Sequence, residues 1–222
     1  LNDATKSANN TIKDNTVNDN SDIAIFNHGI FTKIINNTVK YNEQDGIKIA
    51  SDGARSSISS NNLVDNEGKS IIILAKNIAI ESNTIDADSS EIAISILNAN
   101  FASIENNTIE GGNLGIKVQN STSAFIYNNT IKSNSGYGIQ VLINSESARV
   151  KYNQLTDNED NAIVISSSNS TEVYNNTIKE NAGYGFAATN SKLLDFKGNT
   201  IEDNDGGVKY TNSVSYTHLT LP

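Results

Sequence analysis

Aromatic and basic residues recur at a nearly constant interval in the C-terminal half of this sequence. Four of them follow one another at intervals of 23 or 24 residues, and two more stand two places before the first pair. Aromatic rings stack on sugar rings, and Lys and Arg attract carboxylates. We therefore predict a surface that binds polysaccharide, an acidic glycan such as alginate or pectate. The predicted ligand-binding residues are Phe125, Tyr127, Arg149, Lys151, Tyr174 and Lys197.

Three acidic residues indicate a second kind of chemistry. Asp65, Asp86 and Glu110 each lie three residues after a repeated asparagine. Stacked carboxylates repel one another unless they are solvated or bridged by a hard cation. The sequence therefore leaves two interpretations, a calcium site formed by these three residues or a solvated acidic patch. No other cofactor is predicted.

The candidate residues belong to a repeat built around asparagine. Phrases such as Asn-Asn-Thr-Ile recur, and the repeated asparagine stands at positions 10, 37, 62, 83, 107, 129, 153, 176 and 199. The intervals between these positions are 21 to 27 residues. A repeat of this length indicates one supersecondary unit copied along an elongated domain. We assign about nine copies to residues 1–212. Residues 213–222 do not follow the repeat, and we expect them to be an artefact at the end of a fragment of a longer protein.

Each copy contains two short apolar strands separated by polar turns. One strand precedes the asparagine, as at Ala124–Tyr127, and the other follows it and is often introduced by glycine, as at Gly138–Val141. Alternation in the first strand predicts that four residues point inward, namely Ile126, Val150, Val173 and Phe196. The pattern predicts an all-β solenoid whose coils are about 4.8 Å apart. A leucine-rich repeat is the alternative, but its second half would be helical rather than alternating.

The repeat resembles the right-handed parallel β-helix superfamily, which includes the pectate-lyase-like and NosD-like repeat proteins. The resemblance is carried by Gly115-Ile-Lys-Val118 and Ile126-Tyr-Asn-Asn-Thr-Ile131, and it covers roughly residues 9–212. It implies a right-handed parallel β-helix. It leaves the activity open, because unrelated activities share this scaffold.

Enzymes of this superfamily place catalytic groups on outward strand positions, so the resemblance directs attention to the outward column of the glycine-led strand. We predict that this column comprises Ala24, Lys48, Ile72, Ala93, Lys117, Gln140, Val164, Ala187 and Lys209. It contains no carboxylate and no histidine, so it lacks the paired acids of glycoside hydrolysis. Gly183-Tyr-Gly-Phe186 resembles the start of the mannuronan C5-epimerase motif, but Ala187-Ala-Thr-Asn190 follows where Asp-Pro-His would be. We therefore predict no catalytic residue.

The predicted function is that of a secreted or cell-envelope β-helix that contacts polysaccharide without a complete catalytic site in these coils. One alternative is a uronate polysaccharide lyase or mannuronan C5-epimerase whose catalytic coils are missing or degenerate. Another is a structural or adhesive spacer, in which Tyr and Lys only cover a β surface.

Composition excludes several other classes of partner. The net charge of -9 argues against nucleic acid. No apolar run reaches the roughly 18 residues of a membrane span, so no membrane insertion is expected. The chain has no cysteine, which excludes disulfides and thiolate metal sites. The oligomeric state stays open.

Overall fold

The computed structural model describes residues 7–215 of the chain. Within this range the chain consists of β-strands and turns, and it contains no helix that could cross a membrane. The described strands form three parallel sheets of ten, nine and nine members, and each coil contributes one strand to each sheet. The prediction of an all-β parallel solenoid of about nine coils is therefore confirmed.

The strands are numbered in chain order. The first sheet, which precedes the repeated asparagine, contains β1 (Thr11–Lys13), β4 (Lys33–Ile35), β7 (Ser57–Ser59), β10 (Ala79–Glu81), β13 (Ser103–Glu105), β16 (Phe125–Tyr127), β19 (Arg149–Lys151), β22 (Glu172–Tyr174), β25 (Lys192–Lys197) and β28 (Val214–Ser215). The second sheet, which follows the asparagine, contains β2 (Thr16–Asn18), β5 (Thr38–Lys40), β8 (Asn62–Val64), β11 (Thr84–Asp86), β14 (Thr108–Glu110), β17 (Thr130–Lys132), β20 (Gln154–Thr156), β23 (Thr177–Lys179) and β26 (Thr200–Glu202). The third sheet contains β3 (Ile25–Asn27), β6 (Ile47–Ile49), β9 (Lys69–Ile73), β12 (Ile92–Leu97), β15 (Leu114–Gln119), β18 (Tyr137–Leu142), β21 (Ile163–Ser166), β24 (Tyr184–Thr189) and β27 (Gly206–Thr211).

Ladders of β-branched residues fill the interior. In the first sheet, Ile104, Ile126 and Val150 lie in register on consecutive coils, and all three are fully buried. Equivalent side chains stack at the spacing between strands, about 4.8 Å, which suits β-branched residues. The predicted inward positions of Ile126, Val150 and Val173 are confirmed, and Phe196 also packs against the core but is only partly buried.

An asparagine ladder closes the corner between the first and second sheets. The Nδ2 group of each member donates to the Oδ1 of the next at 2.9 to 3.0 Å. The members are Asn15, Asn37, Asn61, Asn83, Asn107, Asn129, Asn153, Asn176 and Asn199. Two predicted positions are wrong, because Asn10 precedes a first-sheet strand and Asn62 begins a second-sheet strand. The corrected interval is 22 to 24 residues.

The other two corners carry ladders of their own. Between the second and third sheets, asparagine side chains bond from coil to coil in two runs, Asn20, Asn42 and Asn66, and then Asn134, Asn158, Asn181 and Asn204. Serine hydroxyls accept backbone N–H groups at the third corner, in the order Ser121, Ser145, Ser168, Ser191 and Ser213. The corners are therefore held by polar side chains that satisfy the turn backbone.

The boundary predicted at residue 212 lies near the end of the described range. The short strand β28 follows it and pairs in parallel with β25. The remainder of the predicted tail, residues 216–222, lies outside the described residues.

Candidate functional site

The predicted ligand-binding residues lie together on the outward face of the first sheet. Four of them form one column over consecutive coils, in the order Tyr127, Lys151, Tyr174 and Lys197. In the adjoining column, Phe125 pairs with Arg149. We call these six residues the tyrosine–lysine strip. The structure places them side by side, and ligand binding by them stays a prediction.

The C-terminal half of the strip is occupied by internal contacts. The ammonium groups of Lys151 and Lys197 lie 4.5 and 4.4 Å from the centre of the Tyr174 ring. Lys151 Nζ also lies 2.6 Å from a carboxylate oxygen of Glu172, and the Tyr174 hydroxyl donates to Asp195. The ring of Tyr174 is thus already held by cation–π contacts from both neighbouring coils. This half is less suited to sugar stacking than the sequence predicts.

These contacts also keep the Tyr174 phenol protonated. Burial raises its pKa above the usual 10.0, and the hydrogen bond to Asp195 and the charges of Asp195 and Glu172 raise it further. A general base needs a pKa near the working pH. Tyr174 therefore does not act as a base at neutral pH.

The N-terminal half of the strip is a partly exposed aromatic cluster. The ring centres of Phe125 and Tyr127 are 5.3 Å apart, with 20° between the ring planes. Tyr152 joins them from the next coil, 5.4 Å from Tyr127 and at 66° to it. We call Phe125, Tyr127 and Tyr152 the aromatic platform. The strand pattern does not predict Tyr152, because this residue occupies a corner, directly before the ladder residue Asn153, rather than a strand.

The predicted calcium residues are only partly in register. Asp86 pairs with Glu110 on the neighbouring coil. On its other side Asp86 faces Val64, and Asp65 lies one residue further, at a left-handed corner with a φ of 48°. Asp65 is displaced because the ladder asparagine of its coil is Asn61 and not the predicted Asn62. The predicted column of three stacked acids is therefore a column of two with a third acid nearby.

Each of these acids has other interactions. The Ser89 hydroxyl donates to Asp65 at 3.2 Å, and Lys132 Nζ lies 2.9 Å from a carboxylate oxygen of Glu110. Burial raises the pKa of Asp86, and nearby carboxylates raise it further. In the described part of the chain, no cluster of three or more His, Asp or Glu side chains could hold a metal ion. Calcium binding stays a prediction to be tested.

The outward column of the third sheet differs from the predicted one at two coils. In the first of these coils the outward residue is Phe26 and not Ala24, because Ala24 precedes β3. In the coil of β12 it is Ser95 and not Ala93, because Ala93 is buried. The observed column is Phe26, Lys48, Ile72, Ser95, Lys117, Gln140, Val164, Ala187 and Lys209. This column also contains no carboxylate and no histidine.

A groove lies on the outward face of the third sheet, over the last four described coils. It encloses about 430 Å³. Its lining includes Tyr137, Asp160, Asn161, Tyr184, Lys209 and Thr211. Lys209 Nζ lies 5.0 Å from the centre of the Tyr184 ring. We call this hollow the third-sheet groove.

The polar groups of the third-sheet groove are ordered by one another. Burial raises the pKa of Tyr137, and the charge of Asp160 and a hydrogen bond to it add to the effect. The backbone N–H of Asn161 donates to Asp160 at 2.6 Å, and the backbone N–H of Tyr184 donates to Asn161 Oδ1 at 2.8 Å. The groove thus combines aromatic rings, a carboxylate acceptor and an ammonium donor.

The strand pattern in the sequence does not predict this groove. Asp160 and Asn161 stand in a turn, and Tyr137 and Tyr184 each begin a strand inside a Gly-Tyr-Gly segment. Reading the strand columns alone therefore passes over all four. The recurrence of Gly-Tyr-Gly at β18 and β24 is the pattern that could have identified the groove.

A smaller hollow continues the same face toward the N-terminus. It encloses about 220 Å³ and is lined in part by Lys69, Glu91, Ser95 and Lys117. Lys69 Nζ lies 3.2 Å from a carboxylate oxygen of Glu91. The third sheet therefore carries concave surface over most of the described coils.

Comparison with known proteins identifies the architecture. The sequence profile described as a right handed beta helix region matches residues 56–201, which is more than half of the chain. No curated protein sequence matches the chain.

Solved structures resemble the fold at low sequence identity. The catalytic unit of a GH87 α-1,3-glucanase from Streptomyces thermodiastaticus has a TM-score of 0.76 and 11% identity, with 97% of this chain and 51% of that chain covered. The A-module of the mannuronan C-5 epimerase AlgE6 from Azotobacter vinelandii has a TM-score of 0.65 and 17% identity, covering 96% and 59%. PfbA, a surface adhesin of Streptococcus pneumoniae, has a TM-score of 0.62 and 12% identity, covering 84% and 60%.

These likenesses concern the fold, since the identities are low. The chain spans between 51% and 60% of the length of the three proteins.

Proposed function

Since the chain belongs to the family of right-handed β-helix regions, we propose that it contacts polysaccharide and that the third-sheet groove is its main contact surface. The similarity to a glucanase and to a mannuronan epimerase supports this class of partner. Similarity to a surface adhesin supports a secreted or cell-envelope location. An acidic glycan such as alginate or pectate is the ligand we propose to test first.

The convergence of side chains in the third-sheet groove carries the proposal. Binding sites for small ligands are concave and combine apolar walls with a few placed polar groups. Tyr184 offers a ring, Asp160 accepts hydrogen bonds from hydroxyl groups, and Lys209 attracts acidic or hydroxyl oxygens. Four coils separate the first and last lining residues by about 14 Å, which accommodates two or three sugar rings.

A structural or adhesive spacer is the second candidate. Its support is the similarity to the adhesin PfbA. The two candidates differ in whether the groove binds sugar. We assign no catalytic step to the described coils.

Affinity electrophoresis in gels that contain alginate, pectate or α-1,3-glucan tests the proposal. We expect retardation by at least one polymer, and we expect Tyr184→Ala to weaken it about tenfold through lost stacking contact. Tyr41→Ala is the matched control, because Tyr41 is an exposed tyrosine at a different corner of the solenoid.

Lack of retardation in every gel would refute the polysaccharide proposal and leave the spacer. Equal retardation of the Tyr184→Ala and Tyr41→Ala variants would show that the groove is the wrong surface. An increase in ultraviolet absorbance from unsaturated uronates would instead identify the chain as a lyase.

A further inference from the structure

The aromatic platform of Phe125, Tyr127 and Tyr152, together with Arg149, forms a second sugar site, and we propose that it takes a single uronate residue of an acidic glycan. This inference takes its class of ligand from the proposed function. It concerns a different sheet from the third-sheet groove, so the two sites can be tested separately.

The first argument is the arrangement of the rings. Phe125 and Tyr127 project from one strand with nearly parallel planes, and Tyr152 stands at a steep angle beside Tyr127. Phe125 and Tyr127 stack on each other, so each ring leaves its outer face and its edge for a ligand, and Tyr152 stands beside them at an angle. A pyranose ring presents an apolar face and a polar rim, which matches an aromatic face with polar groups beside it.

The second argument is the backbone of Tyr152. It has a φ of 59° and is 48% exposed. The other described coils place small or polar residues at this left-handed corner, namely Asp14, Asn36, Ser60, Ser82, Asn106, Asn128, Asn175 and Gly198. A bulky side chain is disfavoured in this conformation, and burial in the core does not compensate it here. Among the described coils Tyr152 is the only aromatic residue at this corner, although aromatic residues occupy left-handed positions at other corners, as Tyr41 and Phe101 do.

The third argument is charge. Arg149 stands beside Phe125 in the register of the sheet, and its side chain is 58% exposed. Its Nε lies 3.7 Å from a carboxylate oxygen of Glu172. A guanidinium has five N–H donors in a fork, so the two terminal nitrogens can meet a second carboxylate. A guanidinium binds a carboxylate more strongly than a neutral hydroxyl group, so Arg149 favours a uronate over a neutral hexose on the platform.

The experiment measures binding of hexagalacturonate by calorimetry in a Tyr184→Ala background, so that the third-sheet groove contributes little. Tyr152→Asn removes the ring and introduces a residue that tolerates the left-handed corner. We expect it to weaken binding about tenfold while the melting temperature stays unchanged or rises. Tyr41→Asn is the matched control, because Tyr41 has a φ of 55° and is 54% exposed at another corner. This control should lower affinity by less than about twofold.

Two further measurements test the role of charge. Fully methyl-esterified hexagalacturonate keeps the rings and lacks the carboxylates, and we expect it to bind about tenfold more weakly than the acid. Arg149→Gln should weaken binding of the acid and leave binding of the ester unchanged.

The outcomes separate this inference from the proposed function. If the wild-type chain is retarded by polysaccharide but Tyr152→Asn binds hexagalacturonate as Tyr41→Asn does, the platform is refuted and the groove stands. Equal affinity for the acid and the ester would refute the uronate assignment. If Tyr152→Asn weakens the binding of hexagalacturonate but Tyr184→Ala does not change retardation by the polymers, the groove is refuted and the platform stands.

Discussion

Asn134 lies one coil from Gly112, and the buried Oδ1 of Asn134 receives no hydrogen bond within the described residues. Gly112 occupies the equivalent position in the asparagine ladder between the second and third sheets. Its carbonyl accepts the backbone N–H of Ser135, and the carbonyl of Asn134 accepts the backbone N–H of Glu159 in the same way. A glycine has no side-chain amide to donate to Asn134. The asparagine ladder between the second and third sheets is therefore interrupted at Gly112, and it begins again at Asn134 with one unsatisfied acceptor.

This gap predicts unequal costs for two similar substitutions. Asn158 accepts from Asn134 Nδ2 at 2.7 Å and donates to Asn181 at 2.7 Å. Asn158→Ala removes the acceptor of both the backbone N–H and the Nδ2 group of Asn134, and it removes one of the two donors to Asn181 Oδ1. We therefore expect a loss of about 2 to 4 kcal/mol in the free energy of unfolding. Asn134→Ala removes an atom that is already unsatisfied and should cost roughly 1 kcal/mol less. Urea unfolding of both variants measures the difference, and equal losses would contradict this view of the gap.

The inward and outward faces of β16 predict a second contrast. Ile126→Asp places a carboxylate among buried ladder residues and should unfold the chain or cost more than about 4 kcal/mol. Tyr127→Ala, one residue further and on the outward face, should cost about 1 kcal/mol. Ile126→Val serves as a control that keeps the ladder apolar and should cost about 1 kcal/mol. Similar losses for Ile126→Asp and Tyr127→Ala would overturn the assignment of the two faces.

The sequence predicts the solenoid well because its determinants are local. Alternation within each strand identifies inward residues such as Ile126, and the asparagine recurs because the same corner recurs. The prediction fails at Asn10 and Asn62, where asparagines crowd both sides of a turn. At Asn62 the error is one residue, because the ladder member is Asn61, and it moves Asp65 out of the acidic column. Register in a solenoid depends on turn length, which similar neighbouring residues obscure.

The candidate sites are less predictable than the fold. Parallel pairing places Tyr127 and Lys151 side by side, as the repeat indicates. The engagement of Tyr174 by Asp195 depends on side-chain conformation, which spacing does not reveal. The third-sheet groove depends on turn residues such as Asp160 that belong to no strand column. Surfaces built from strand positions can be read from the alternation within the repeat, whereas surfaces that include turn residues need a further pattern, such as the recurrence of Gly-Tyr-Gly.

The raised pKa of Asp86 predicts a dependence of stability on pH. Burial and neighbouring carboxylates favour the protonated form in the folded chain, so the fold binds that proton more tightly than the unfolded chain does. The contribution of Asp86 to stability is therefore full below the ordinary aspartate pKa of 3.8 and is lost as pH rises through the higher pKa of the folded chain. Asp86→Asn is neutral at every pH. It should raise the melting temperature at pH 7 by no more than about 2 °C, because the site is partly exposed.

The same variant should lose its advantage as the pH approaches about 3, where the wild-type carboxyl is protonated. Melting curves at pH values of about 3, 5 and 7 measure this, with Asp157→Asn as the control at an exposed corner. An advantage that is constant across these pH values would show that charge at Asp86 is not its cause.

Calcium addition decides between the two interpretations of Asp65, Asp86 and Glu110. A ligand that binds only the folded chain stabilises it by mass action, and a site with a dissociation constant near 1 mM would add about 1.4 kcal/mol at roughly 10 mM calcium. The expected result for a calcium site is a rise of several degrees in the wild-type melting temperature. Asp86→Asn should abolish the rise, and Asp157→Asn should preserve it. Magnesium at the same concentration controls for ionic strength, because the smaller ion demands stricter octahedral geometry. A wild-type melting curve that calcium and magnesium shift equally would leave the solvated acidic patch, in which Lys132 already neutralises Glu110.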